Sequence, residues 1–461
     1  MSTDEALVNG VLLPGFLGTT VPEWLARALD AGLAGVCLFA QNVGPGLPEL
    51  TARLHGRRAG VLVASDEEGG PVTRLDAPWP SAAALGRLDD VAATEAVGAD
   101  VGARCRATGI DLALAPVADV NAEPDNPVIG IRSFGATPRL VARHVAAFVR
   151  GVQGAGTAAT AKHFPGHGCT VLDSHLALPA VDDAADVVRA RDLPPFAAAV
   201  EAGVRCVLTA HVRFGAFDDR PATMSPPLLA LLRRELGFDG VVISDAVDMA
   251  AIAATVGTGA GAVAAVAAGV DLVCIGNPRN GYDDEAGYRR VRDALLAAVG
   301  DGTLPRERLA EAGRRVAELA EWVRAARAHP AAAGGVDGVR LARRVAETAG
   351  NVRIGRGAHV VDLRGAVNIA DGRAGEPRLV EALRRRDPTV TTGPDVPAEG
   401  PVVVVVRGPS TAFDRVRAAR PDAVAVHVGL PGDWRPPAPS ITLWGDGRAH
   451  VDVAAEHMHV P

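Results

Sequence analysis

The chain has 461 residues, 48% of them hydrophobic and 22% charged, long enough for two or three domains that each bury a core. Its formal charge of −7 and the absence of any basic cluster interleaved with aromatics leave a nucleic-acid role without support. A membrane role is excluded on similar grounds: the longest apolar stretch, residues 258–275, is rich in alanine and glycine and carries Asp271, the pattern of a helix followed by a buried strand.

The first residues, MSTDEALVNGVLLPGF, have no basic segment ahead of an apolar one, so no export signal is expected and a strand is predicted over 7–16. Short apolar runs recur at 35–40, 60–66, 111–120, 159–164, 206–211, 240–245 and 271–276. Between them lie stretches of helical periodicity, 22–31, 92–108, 138–154, 194–202, 227–236 and 259–268, several opened by proline and closed by glycine. Eight alternating units of this kind predict an α/β fold with a parallel sheet. The polar residues choose between a closed and an open sheet. The third, fifth, sixth and seventh runs end in SDEEGG, KHFPGHG, TAH and SD, and such ends converge on one face only in a (β/α)8 TIM barrel. The barrel is expected over 1–330.

Residues 307–328 predict a long amphipathic helix, 329–335 (HPAAAGG) a linker, and 339–348 a further helix, so that 331–350 connects two domains. The runs AHVVDLRG, PVVVVVRG, DAVAVHVG and SITLWGDG then predict a smaller α/β domain over 351–461, with no catalytic constellation. The five cysteines are odd in number, far apart and without CxxC spacing, which reads as reduced thiols in a cytoplasmic protein.

Chemistry concentrates in three places. Lys162 and His163 open the Gly-rich KHFPGHG segment, where a cation and imidazoles are costly to bury for structure alone; His167 in the same segment reads equally well as a brace of the loop. Shortly after come Asp173 and His175, whose spacing puts both side chains on one side of an extended segment. The carboxylate would hold one ring nitrogen while the other serves as general acid and then base. Asp245, at the tip of VVISD, is placed as a nucleophile able to form a covalent intermediate, whereas Asp248 past the strand end reads as a solvent-facing or helix-terminal carboxylate. Asp66, Arg74 and Arg132 combine acceptors with forked donors, a set suited to the hydroxyls of a small carbohydrate; a surface ion pair is the lesser alternative for Arg74.

Taken together, GVCLFAQN, SDEEGG, NPVIGIRSFG, KHFPGHG, DSH, LTAHV, PATMS, LLRRELGFDGVVISD and AGVDL closely resemble, in order, glycoside hydrolase family 3, and within it the bacterial β-N-acetylglucosaminidases of the NagZ type. The resemblance covers most of residues 1–350. It implies Asp245 as nucleophile, Asp173 with His175 as acid/base dyad on a mobile loop, and Asp66, Arg74, Arg132, Lys162, His163 and His211 as the lining of a pocket for terminal N-acetylglucosamine, in a retaining two-step hydrolysis of cell-wall fragments. It calls for no cofactor and no metal, and a monomer is the working expectation. A phosphorylase that uses phosphate in place of water, and an inactive sugar-binding protein, are the alternatives. The chain departs from the usual pattern at Cys169, where Asp is common, at Pro71, where Arg often stands, and at Glu67, where Gln is frequent.

Overall fold

A computed structural model of the chain describes residues 3–329, 335–365, 369–371 and 376–459. Most of the expected linker, residues 330–334, lies outside them. The chain divides into two compact units: residues 1–67, 91–127 and 136–335 form one, and residues 68–90, 128–135 and 336–461 the other.

The first unit is built on eight parallel strands: Leu12–Pro14 (β1), Gly35–Leu38 (β2), Leu62–Ser65 (β3), Leu112–Ala113 (β4), Ala158–Phe164 (β5), Cys206–Thr209 (β6), Val241–Ser244 (β7) and Val273–Gly276 (β8). Strands β2 to β7 form one ladder in chain order, and β8 pairs with β1. An Ile243–Leu272 bridge joins the two sheets, and the amide of Ala34, just before β2, donates to Asn9 O beside β1 at 2.9 Å. The sheet therefore curls round as a TIM barrel. Its interior is filled by Leu13, Cys37, Leu62, Ala64, Leu112, Leu208, Val241, Ile243 and Cys274.

The helix Arg306–Arg327 sends Val316, Leu319 and Val323 into the same cluster. Its Ala320 lies against Gly60, Arg327 donates to Ile110 O, and Trp322 stacks under Arg205, all of them residues just ahead of strands. The helix thus closes the N-terminal mouth and leaves the C-terminal mouth to the loops. Around the wall, Val91–Ala107 and Pro138–Gly154 pack so closely that a Cβ on Gly98 would stand 2.6 Å from Phe148 O and one on Gly151 2.1 Å from Glu95 O. Only glycine allows that approach.

Two expected elements differ. Residues 7–9 end a helix, Thr3–Asn9, rather than open a strand, because Asp4 and Glu5 suit a helical first turn and the strand needs only Leu12–Pro14 to pair with β8. The helix expected over 339–348 stops at Val345, since Glu347–Ala349 (β9) is drawn into antiparallel pairing with Ser440–Thr442.

In the second unit that pair belongs to a six-stranded sheet with His359–Asp362 (β10), Thr391–Thr392 (β11), Val402–Val406 (β12), Val424–His427 (β13) and Ser440–Thr442 (β14), in the order β9-β14-β13-β12-β10-β11. Strand β12 shows the physics plainly. Val403 and Val405 enter one apolar cluster and Val402, Val404 and Val406 the other, so a run of five valines serves a sheet covered on both faces. Residues 68–90 are built into this unit: Ser81 N–H donates to His450 Nε2 at 2.9 Å, Arg378 donates to Pro71 O at 2.9 Å, and Gly447 lies against Gly70. Compactness therefore groups part of the loops after β3 and β4 with the C-terminal sheet, which a division at residue 330 does not.

Candidate active site

Strand β7 delivers Asp245 immediately past its last residue, where its amide donates to Thr209 O at 3.3 Å and its Oδ1 accepts the Ala246 N–H at 2.8 Å. Burial works against ionisation of this carboxyl. The rings of His211, His163 and His175, with the Ala246 N–H, outweigh it and hold the group below the ordinary carboxylate range. Asp245 is thus an anion at neutral pH, the state a nucleophile needs.

His211, from the end of β6, is fully buried. Its Nε2 lies 3.0 Å from Ala246 O, which only accepts, so that nitrogen carries a proton, and Nδ1 lies 2.8 Å from Thr223 Oγ1. Burial lowers its pKa, against the pull of the Asp245 carboxylate. His211 grips the peptide next to Asp245 rather than opening onto bulk water.

Strand β5 ends in Lys162 and His163. Lys162 Nζ pairs with Asp66 Oδ1 at 2.7 Å, uniting two residues expected to bind hydroxyls. His163 Nδ1 lies 2.8 Å from Asp119 Oδ2, while Asp119 Oδ1 accepts the backbone amides of His163 (3.2 Å) and His167 (2.7 Å). Asp119 is fully buried and organises the whole KHFPGHG turn, yet the sequence reading passed over it. The available signal was an acid inside the otherwise apolar run LALAPVADV.

His167 is the brace of the loop. It is buried, its pKa is pushed down to about 4 by that burial, and it contacts Thr170 Oγ1 at 2.7 Å and Ser174 Oγ at 3.0 Å. Thr170 donates to His167 O, so its oxygen accepts from Nδ1–H and Nε2 accepts from the Ser174 hydroxyl. Ser174 stands between Asp173 and His175, and Ala251 N–H donates to its carbonyl at 3.3 Å. The loop is therefore pinned at its middle residue.

Asp173 Oδ1 accepts both the His175 amide at 2.9 Å and approaches His175 Nδ1 at 2.7 Å. The expected extended segment is in fact a turn closed by the aspartate on its own backbone, an Asx turn, which brings the two side chains together just as firmly. Burial would raise the Asp173 carboxyl, but its bonds to His175 prevail and lower it, so an anion holds Nδ1–H and Nε2 is left to face a leaving group. Cys169 receives Arg191 at 3.0 Å and its thiol is pushed up to about 12 by burial, so it stands here as a neutral group.

Asp248 is more buried than expected. Its Oδ2 accepts from Asn280 Nδ2 (2.8 Å) and Asn277 N (3.1 Å), Oδ1 is a buried atom without a hydrogen-bond partner, and burial raises the group to about 6. A carboxyl raised in the fold is favourable while protonated and costs stability as pH rises through 6. Asp248→Asn keeps both acceptor bonds and should therefore stabilise the protein by about 3 kcal/mol at pH 8 and hardly at all at pH 4. Urea unfolding at the two pH values checks this; equal shifts at both would remove the charge as the cause.

Arg74 and Arg132 belong to the second unit. Arg132 forms a buried fork on Glu68, with Nε–Oε2 and NH2–Oε1 both at 2.8 Å. Arg74 is buried rather than a surface pair, and donates to Asp371 O at 2.8 Å and Ala370 O at 2.9 Å. Asp66, Lys162, His163, Asp173, His175, His211 and Asp245 all lie in the first unit, at the C-terminal ends of its strands or on the loops that follow them.

Residues 25–319 match the model of the glycosyl hydrolase family 3 N-terminal domain. Beta-hexosaminidase A of Pseudoalteromonas piscicida is 32% identical over 332 residues, 65% of this chain, which spans 55% of that relative's length. A beta-hexosaminidase of Stenotrophomonas maltophilia is 36% identical over 64% of this chain and 92% of its own. Among solved structures, a family 3 beta-N-acetylglucosaminidase from a Paenibacillus superposes with a TM-score of 0.83 at 29% identity, over 99% of this chain and 96% of that one. With an ionised aspartate on the seventh strand of a TIM barrel and an aspartate–histidine pair on the loop after the fifth, the chain belongs to glycosyl hydrolase family 3 and is a glycosidase.

Proposed function

We propose that the protein is a retaining, exo-acting β-N-acetylglucosaminidase that removes terminal N-acetylglucosamine from cell-wall fragments. The observation that carries the reading is that Asp245, held below the ordinary carboxylate range, and the bonded Asp173–His175 pair both stand at the C-terminal ends of strands of the same unit. Asp245 attacks the anomeric carbon as the glycosidic C–O bond breaks, and His175 gives its Nε2 proton to the departing oxygen. The ring, now neutral, takes a proton from water; the resulting hydroxide equivalent attacks the anomeric carbon and frees the Asp245 carboxylate. Asp66, Lys162 and His163 would bind the sugar hydroxyls, with His211 steadying the nucleophile.

The acetamido preference comes from the relatives, since the curated and solved proteins above are named for hexosaminides. Five unpaired cysteines suit a cytoplasmic site of action, and among the described residues no helix is long and apolar enough to cross a membrane. Paired 4-nitrophenyl glycosides test the reading: the N-acetyl-β-glucosaminide should be turned over with a kcat/KM at least about tenfold above the β-glucoside, the size of one lost polar contact. Activity on the glucoside alone would overturn it. Release of sugar 1-phosphate on adding phosphate would replace water by phosphate as the acceptor.

A further inference from the structure

Large apolar side chains left in water are normally scattered singly. Among the described residues of this chain they are Leu17, Val171, Leu172, Leu176, Val187 and Val256, and all except Val187 stand on loops that follow the C-terminal ends of barrel strands. Val171, Leu172 and Leu176, at 66%, 50% and 71% exposure, bracket Asp173 and His175 on both sides.

The loop that bears them is well anchored. Its inward side is polar and satisfied, with Ser174 held by His167 and Ala251, and with the Asp173 carbonyl accepting from Leu176 N at 3.0 Å and Ala177 N at 3.1 Å. The apolar residues therefore face outward by construction. A general acid must come within hydrogen-bond reach of the oxygen it protonates, so whatever departs on that oxygen lies beside the neighbours of His175.

We infer that Val171, Leu172 and Leu176 form an apolar lip on the leaving-group side of the site, and that the preferred aglycone lays an alkyl or aryl surface against it. The inference rests on the role proposed above for His175. An apolar aglycone and the leucines take each other out of water, whereas a strongly polar one would find no donors or acceptors on these side chains. Among cell-wall fragments the lip favours those whose departing part offers an apolar face.

Alkyl β-N-acetylglucosaminides from methyl to octyl test this, because the leaving alcohols differ little in acidity while apolar area grows. The kcat/KM is expected to rise about tenfold from methyl to octyl, as it would if only a few methylenes were buried in the transition state. In the double variant Leu172→Ser/Leu176→Ser the octyl-to-methyl ratio should fall to about one, and in Val187→Ser, on the helix Ala185–Arg191, it should persist. A flat wild-type series, or a ratio that survives the double substitution, would overturn the lip. So would self-association of the wild type abolished in the double variant with the ratio unchanged, which would assign these residues to a contact between copies. Alkyl β-glucosides run in parallel separate the two readings: turnover of that series alone overturns the N-acetylglucosamine assignment, and its own octyl-to-methyl ratio still decides the lip.

Discussion

Asp245→Ala is expected to lower turnover of 4-nitrophenyl N-acetyl-β-glucosaminide by at least about three orders of magnitude, the scale of removing a covalent nucleophile. No neighbour can take its place. Asp248, the rival carboxyl, spends one oxygen on Asn280 and Asn277 and is raised to about 6 by burial, so it is a poorer anion and is already tied. Asp245 has the opposite environment: Oδ1 is fixed by the Ala246 amide, and the surrounding imidazoles keep the carboxyl ionised. His211 anchors the carbonyl of Ala246 and the Asp245 amide donates to Thr209 O, so the backbone is held on either side of the nucleophile.

A large loss alone does not separate a nucleophile from a residue that shapes the pocket. Asp245→Gly assayed with azide does. The anion enters the vacated space, attacks the anomeric carbon from the face the carboxylate used, and yields the α-glycosyl azide from an activated β-glycoside. Rescue with that inversion identifies the attacking face. Undiminished turnover in Asp245→Ala, or an azide product of β configuration, would take the role away from Asp245.

The barrel was legible in the sequence because parallel strands buried on both faces read as short apolar runs, and polar motifs at their ends gave the direction. Strand β7 at 241–244 and the helix Pro138–Gly154 fall almost where the pattern puts them. Pairing at long range was not legible. Glu347–Ala349 becomes a strand only because Ser440–Thr442 lies beside it, and nothing local opposes a further turn of helix. Asp119 was missed for the same reason: its partners His163 and His167 are 44 and 48 residues away, and only the β4–β5 pairing region brings them together. Arg74 and Arg132 are both buried. Their immediate partners, carbonyls near residue 370 and Glu68, could not be read from spacing. Asp173 and His175 show the reverse, a correct pairing argued from an extended geometry that the chain achieves through an Asx turn.

That pair yields the second large effect, which depends on the leaving group. In His175→Ala, kcat/KM for an alkyl N-acetylglucosaminide is expected to fall by about two to four orders of magnitude, because the alkoxide cannot leave without its proton. For the nitrophenyl glycoside, kcat/KM should fall far less, since nitrophenolate departs unaided and that constant reports the first step alone. Its kcat should nevertheless drop, because the second step has lost the base that deprotonates water, and a burst of nitrophenol ahead of slow turnover should appear. Asp173→Asn then isolates the carboxylate's contribution. An asparagine oxygen can still accept the His175 amide and keep the turn, but it offers Nδ1–H a neutral partner in place of an anion that the fold holds below its usual pKa. The imidazolium formed during the second step is then less stabilised, so Asp173→Asn should show the same leaving-group pattern as His175→Ala at smaller amplitude. Equal losses on alkyl and nitrophenyl glycosides in both variants would mean that the pair shapes the pocket and moves no proton.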